Sequence, residues 1–265
     1  MMFNLVIGQY VPSDSYVHRL DPRSKLIGVF LFVVIVFLAD NWLTNGLMVL
    51  FCFTGILLSR MRFSFIYKGL RSVFIIVFIT FLLNLFLASG GDTLFQWGWL
   101  RVTSGGLMQS IFISIRILVI IVVTTLLTLT TSPIEITDGM ESLLNPLKKV
   151  RLPVHEFALM MSISLRFIPT LLEETEKIIK AQAARGSDFT TGSLKSRIKA
   201  LVPLLVPLFV GAFKRAEDLA MAMEARGYHG DAGRTKLHQL NWSWRDTMLL
   251  TAILLLTVLL ILTRN

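Results

Sequence analysis

The chain has 265 residues, 54% of them hydrophobic and only 16% charged, with a formal net charge of +9. Soluble domains average about 25% charged residues, so a water-soluble globular fold is excluded and an integral membrane protein is expected. One cysteine, Cys52, leaves no intrachain disulfide, and the first 25 residues, with Pro12, Asp14, His18 and Asp21, hold no apolar core, so no cleaved signal is expected. A bilayer core roughly 30 Å thick needs about 20 apolar helical residues. The first apolar run is Leu26–Ala39 and the second Trp42–Leu58, parted by a tight turn at Asp40-Asn41. The third is Val73–Ala88, extended at its start by Ile66–Leu70, and a loop rich in Gly and Trp follows. The fourth is Leu107–Thr131 and the last Met248–Leu262. The first, third and last are short, and Lys25, Trp42, Arg71 and Trp244 beside them supply snorkelling or interfacial side chains.

The charges orient these runs. Arg19, Arg23 and Lys25 precede the first, and Arg60, Arg62, Lys68 and Arg71 surround the start of the third. Loop 89–105 has only Arg101, and the tail has only Arg264. The segment 132–246 carries 16 Lys and Arg against 13 acidic residues. Basic residues favour the cytoplasmic side, which predicts a cytoplasmic N-terminus, five spans and an external C-terminus. The near balance within 132–246 removes the motive for nucleic acid as a partner.

That segment predicts three further helices. Ser132-Pro133 with Glu135 reads as an N-cap with proline in the first turn of a short helix reaching about Leu147. A second opens at Pro153 and stops at Gly186; after a loop, a third runs from near Leu194 to Gly227. The apolar part of the third, Leu201–Phe213, is only 13 residues long and holds Pro203, Pro207 and Gly211, which favours a buried or interfacial helix over a span. Pro203 and Pro207 are expected to kink it and free backbone carbonyls. The predicted architecture is therefore an all-α integral membrane protein: a four-span region 1–131, coupling helices 132–245 (one short, two long) and a last span 246–265.

Both long helices end in the same three residues, Ala184-Arg185-Gly186 and Ala225-Arg226-Gly227. Taken singly, each is a helix stop, because Gly adopts the left-handed conformation and Arg complements the negative end of the helix dipole. Their recurrence reads as two equivalent docking tips. Arg presents a planar fork of donors to carboxylates or carbonyls, and small neighbours let a partner groove close around it.

With "HRLDPRSKL" (18–26) before the first span, "SLRFIPTLLEE" (164–174) and the paired Ala-Arg-Gly tips, the chain resembles the T component of energy-coupling-factor transporters. The likeness covers nearly the whole chain. It implies a transmembrane scaffold in a bacterial cell membrane, itself without catalysis, linking two ABC-type ATPases to a membrane-embedded substrate-binding S component. It implies that both tips dock ATPases, that ATP and Mg sit on those partners, and that no cofactor or metal is bound by this chain. The intact pair of motifs resembles the shared scaffolds that serve several vitamin S components. Under this reading Met160, Met161 and Leu165 on the second helix, and Leu205, Leu208, Phe209 and Phe213 on the third, are candidate S-component contacts. The two helices are expected to cross and bury part of these faces, with Ile168, on each other. "LVPLLVPLFV" (201–210) reads equally well as packing at the bilayer surface.

Asp21 and Arg23 either cap and anchor the first span or brace the coupling helices. Arg116, inside the fourth span, faces protein or snorkels, because an unpaired central Arg costs at least about 2.5 kcal/mol. Arg166 and Pro169 are further structural candidates. "GDAGRTK" (230–236) lacks the Gly-Lys-Ser/Thr ending of a phosphate loop, and "ASGGDT" (88–93) falls in the predicted external loop, so both read as loops. The four histidines have no ligand spacing. Two rival readings remain: the permease subunit of a conventional ABC importer, and an intramembrane lipid-modifying enzyme. The second lacks the clustered Asp, Glu or His that its chemistry needs.

Overall fold

A computed structural model of the chain describes residues 10–87, 90–97, 100–186, 194–230 and 239–263. The loop expected at 187–193 and most of the "GDAGRTK" stretch lie outside these residues. In order, the elements are α1 (Pro22–Val36), α2 (Trp42–Ser59), α3 (Phe63–Leu87), β1 (Thr93–Trp97), β2 (Leu100–Thr103), α4 (Ser104–Thr130), α5 (Pro133–Leu144), a 3₁₀ turn (Asn145–Val150), α6 (Val154–Ala184), α7 (Leu194–Ala225) and α8 (Trp244–Thr263). They fall into two units, Met1–Leu144 with Leu240–Asn265, and Asn145–Gln239.

The first unit holds a helix at each of the five expected span positions. Three of them, α2, α4 and α8, are long and apolar enough to cross a membrane unaided. The apolar part of α3, Val73–Leu87, is shorter, and α1 has 15 residues. At 1.5 Å per residue α1 reaches roughly 22 Å. The amides of Phe37, Leu38 and Ala39 then bond the carbonyls three residues back at 2.9–3.3 Å. Such a tightened 3₁₀ end rises about 2 Å per residue and brings the reach to roughly 28 Å, so the apolar run does end at Ala39. The core between the helices is Phe32 and Val36 of α1, Met48 and Cys52 of α2, Val119 of α4, and Leu256 and Leu260 of α8.

The loop before α4 departs from expectation by forming an antiparallel hairpin, with Thr93 opposite Thr103 and Trp97 opposite Leu100. The hydroxyl of Thr103 then accepts from Gly106 N–H at 3.1 Å and caps α4. The capping pattern at Ser132 is present: Ser132 N–H donates to Glu135 at 2.8 Å and Glu135 N–H to Ser132 Oγ at 3.3 Å. The α-helix there ends at Leu144 rather than Leu147, and the chain continues as the 3₁₀ turn holding Pro146. Proline lacks the N–H that an α-helical bond would need.

One buried carboxylate joins the two ends of this unit's sequence. Asp246, 0% exposed, accepts four hydrogen bonds. Its Oδ2 takes Ser243 N–H at 2.8 Å and Ser243 Oγ at 2.7 Å, capping α8. Its Oδ1 takes Asp21 N–H at 2.8 Å and Ser24 Oγ at 2.6 Å, reaching the start of α1. Asp21 itself caps α1 by accepting from Arg23 N–H at 2.8 Å. Next in the motif, buried Lys25 donates to the carbonyls of Thr130 at 3.0 Å and His18 at 3.3 Å, tying α1 to the end of α4. Upstream, His18 Nε2 bonds the Val11 carbonyl at 3.1 Å, so Nδ1 accepts from Ser15 Oγ at 2.7 Å. Burial lowers the His18 pKa from its ordinary value. The short helix α5 lies against α1, where a β-carbon on Gly139 would meet Leu26 at 3.1 Å and Pro22 at 3.2 Å. Asp21 thus caps α1.

Removing the carboxylate strands the buried Asp21 N–H, at about 1–3 kcal/mol, whereas Ser24 Oγ keeps the Asp21 carbonyl as an acceptor at 2.8 Å. Asp246→Ala is therefore expected to destabilise the first unit by about 1–3 kcal/mol, and Asp246→Asn by less. Thermal unfolding in detergent, read by dye reaction with the one thiol, buried Cys52, checks this. An unchanged midpoint in Asp246→Ala would remove Asp246 from its central place.

Candidate functional site

The two Ala-Arg-Gly tips close α6 and α7 in the same way. Ala184 and Ala225 are the last helical residues, and the arginines follow as caps. Gly186 (φ 87°) and Gly227 (φ 70°) are left-handed, the conformation that spares glycine the Cβ clash. Gly186 N–H bonds the Ala183 carbonyl at 3.0 Å. At the second tip Gly227 N–H bonds Glu224 at 2.8 Å and Tyr228 N–H bonds Met223 at 3.0 Å, the paired bonds of a Schellman motif. All six tip residues are exposed. The backbone at each tip is thus fixed by its own hydrogen bonds while both guanidinium groups stand in the open.

Helices α6 and α7 pair antiparallel. Gln182 Nε2 reaches the Pro203 carbonyl at 3.4 Å, Glu174 pairs with Arg215 at 2.6 Å, and Ile163, Phe167 and Leu171 share a groove with Ala212, Ala216 and Leu219. Arg185 therefore lies beside the start of α7, and Arg226 near the start of α6. From Pro203 to the end of α7 the rise of 1.5 Å per residue amounts to about 33 Å, so the tips are separated by a distance on the order of 35 Å.

The expected faces are covered only in part. Met160, Met161, Leu205, Phe209 and Phe213 are exposed, the last at 73%, while Leu165, Ile168 and Leu208 are half-buried. Alanines at 212 and 216 let the helices approach closely, which the bulkier residues do not. Around Phe209, the residues Val202, Val206 and Val210 are also exposed, so α7 carries a continuous uncovered apolar strip. Both helices run through their prolines: Pro169 in α6, Pro203 and Pro207 in α7. Pro207 has no N–H for the carbonyl four residues back. That carbonyl belongs to Pro203, and Gln182 supplies its donor. Arg166 is exposed.

Arg116 snorkels within its own chain. It donates to the Ala39 carbonyl at 3.0 Å, lies 3.6 Å from Asp40 and stacks over Phe37 at 5.3 Å. It thereby seals the exposed carbonyl end of α1. Sequence reasoning missed Asp246, Ser24, Lys25 and the seam alanines. A Ser followed three residues later by Asp, at Ser243 and Asp246, was the signal for one of them.

Comparison with known proteins places these features in a family. The family model described as cobalt transport protein, CbiQ, matches residues 13–238. The chain is 61% identical over 260 residues, 98% of each chain, to the energy-coupling factor transporter transmembrane protein EcfT of Bacillus subtilis (strain 168). It is 52% identical over 258 residues, 97% of each, to the EcfT of Brevibacillus brevis. To that of Macrococcus caseolyticus it is 51% identical over 265 residues, 100% of each.

A β-branched residue at a tip glycine keeps the charge and spoils the turn. Gly227→Val is expected to cost at least about 1 kcal/mol locally, seen as faster amide exchange at Gly227 and Tyr228 with the global midpoint unmoved. Unaltered exchange there would show the left-handed turn to be dispensable.

Proposed function

The chain belongs to the CbiQ family and is the transmembrane component of an energy-coupling-factor transporter; from that premise we propose that it transmits ATP-driven motion from two ATPase subunits to a membrane-embedded S component. The observation that carries this reading is the matched pair of exposed, backbone-locked arginine tips. Two like tips at opposite ends of one helix pair suit two like grooves, as a pair of ABC-type ATPases would offer. Residues Ala184, Arg185 and Gly186 engage one ATPase and Ala225, Arg226 and Gly227 the other. The chain itself catalyses nothing, and ATP with its Mg is held by the ATPases.

The uncovered strip on α7, with Leu205, Phe209 and Phe213, and the exposed Met160 and Met161 on α6 form the S-component surface. An apolar patch of this extent in a segment rich in charge is a partner surface rather than a solvated face, and methionines repack against different partners. The cargo, a vitamin or related micronutrient, is chosen by the S component. The Lys and Arg distribution supports a cytoplasmic N-terminus, a cytoplasmic 132–245 segment and an external C-terminus in a bacterial cell membrane.

Arg185→Ala with Arg226→Ala is expected to leave the protein folded in the membrane and to abolish uptake. Each lost charge-assisted contact weakens ATPase docking by about 1.5–3 kcal/mol. Wild-type uptake together with full ATPase co-purification in the double variant would sink the docking assignment.

Leu205→Asp or Phe209→Asp is expected to release the S component while the ATPases still co-purify. If the S component stays bound through both changes, the strip serves the bilayer surface and not a protein.

A further inference from the structure

We propose that the cavity enclosed by α1, α2, α4 and α8 holds one acyl chain of an anionic phospholipid, with the lipid phosphate drawn to Lys25. The cavity has a volume of about 360 Å³, within the range of small-molecule sites rather than of packing gaps. Its two ends differ in chemistry. Phe32, Phe51 and Ile253 line the deep end, and Tyr16, Lys25 and Thr130 the other. From Lys25 to Phe32 is seven residues of helix, a depth of roughly 10 Å.

Lys25 is 5% exposed. Its ammonium has three donors, and two are spent on neutral carbonyls, those of His18 and Thr130. Among the described residues no carboxylate stands within ion-pair distance of it. The carboxylates whose charge reaches it are Glu135, Asp246 and Asp21, all from farther away, and Asp246 already accepts four hydrogen bonds. A buried, unpaired ammonium is costly, and an anion beside it removes the cost. A second cation stands at the same end, where Arg245 stacks over the Tyr16 ring at 5.7 Å.

The occupant must join an apolar body to an anionic head, and in a bilayer the abundant molecule of that form is an acidic phospholipid. Basic pockets between spans take such head groups. Entry from the bilayer is open, because Leu58 and Met248, which also line the cavity, are 51% and 50% exposed. Cys52 and Gly55 on α2 complete one wall. A β-carbon on Gly55 would have only Leu126 near it, at 3.6 Å, so a larger side chain there projects without backbone strain and fills the space.

Native mass spectrometry of the full chain, released from vesicles of equal phosphatidylglycerol and phosphatidylcholine, tests this. The wild type is expected to retain phosphatidylglycerol over phosphatidylcholine about fivefold, the preference that one basic residue confers on an anionic head group. Lys25→Gln, which keeps a donor and removes the charge, is expected to bring the ratio to parity. Gly55→Phe is expected to retain neither lipid, at an unchanged melting temperature. Equal retention of both lipids by the wild type would overturn the proposal, as would undiminished phosphatidylglycerol on folded Gly55→Phe. A free fatty acid retained in place of the phospholipid would overturn it too, and would show Lys25 to be paired with a carboxylate. If Lys25→Gln unfolds because its clip to α4 is lost, Gly55→Phe and the wild-type ratio decide alone.

Discussion

Asp246 carries its negative charge into a position closed to solvent, and among the described residues no cation pairs with it. What makes this tolerable is position: the carboxylate sits where the N-termini of α1 and α8 converge, and four donors saturate its oxygens. Helix N-termini are positive ends, and bonds to an ionised acceptor are about twice as strong as neutral ones. Lys25 is placed by the mirror rule, against the carbonyl end of α4 at Thr130. Arg116 does the same at the carbonyl end of α1. Asp246, Lys25 and Arg116 thus each meet a helix end of opposite sign. The motif 18–26 is the linker that brings three such ends together.

Elements whose boundaries are set by local chemistry could be read from the sequence. Asp21-Pro22, Ser132-Pro133 and the two tip glycines each fix a helix end by capping or by backbone conformation alone, and each stands where expected. The hairpin before α4 was not legible, because its strands are four and five residues long and show no sustained alternation. Of Asp246 only the local cap with Ser243 was legible, not its bonds to the start of α1. A lone carboxylate in the first turn of a helix looks like a dipole complement, and its partners lie 222 and 225 residues away. The seam of α6 and α7 was misjudged by weighing apolar bulk, since what permits close approach is the absence of bulk at Ala212 and Ala216.

The prolines of α7 follow from the same accounting of hydrogen bonds. A proline in mid-helix costs about 3 kcal/mol or more, partly through the carbonyl it leaves without a donor. Gln182 answers the carbonyl freed by Pro207, so the lesion in one helix becomes a tie to the other. The kink penalty is thereby tied to the pairing of α6 with α7, and the pairing gains a polar contact near one end where alanines give no grip.

Motion between these helices is governed by what their seam lacks. Alanines bury little apolar surface, and at roughly 25 cal/mol per Å² their contribution to holding the crossing is small. An ion pair there, Arg215 with Glu174, leaves 28% and 32% of the two side chains exposed, which weakens it by solvent screening. The helices themselves, of 31 and 32 residues, keep their internal bonds intact whatever the crossing does. Bending a helix breaks such bonds, whereas sliding over alanines costs only side-chain ties such as Gln182 to Pro203 and Arg215 to Glu174, so the seam yields before the rods. Under the coupling proposed above, with one arginine tip at each far end of the pair, a change in tip separation turns the helices about that seam. The strip from Val202 to Phe213 lies on α7 near the seam, so it turns with the rotation while travelling less than the tips.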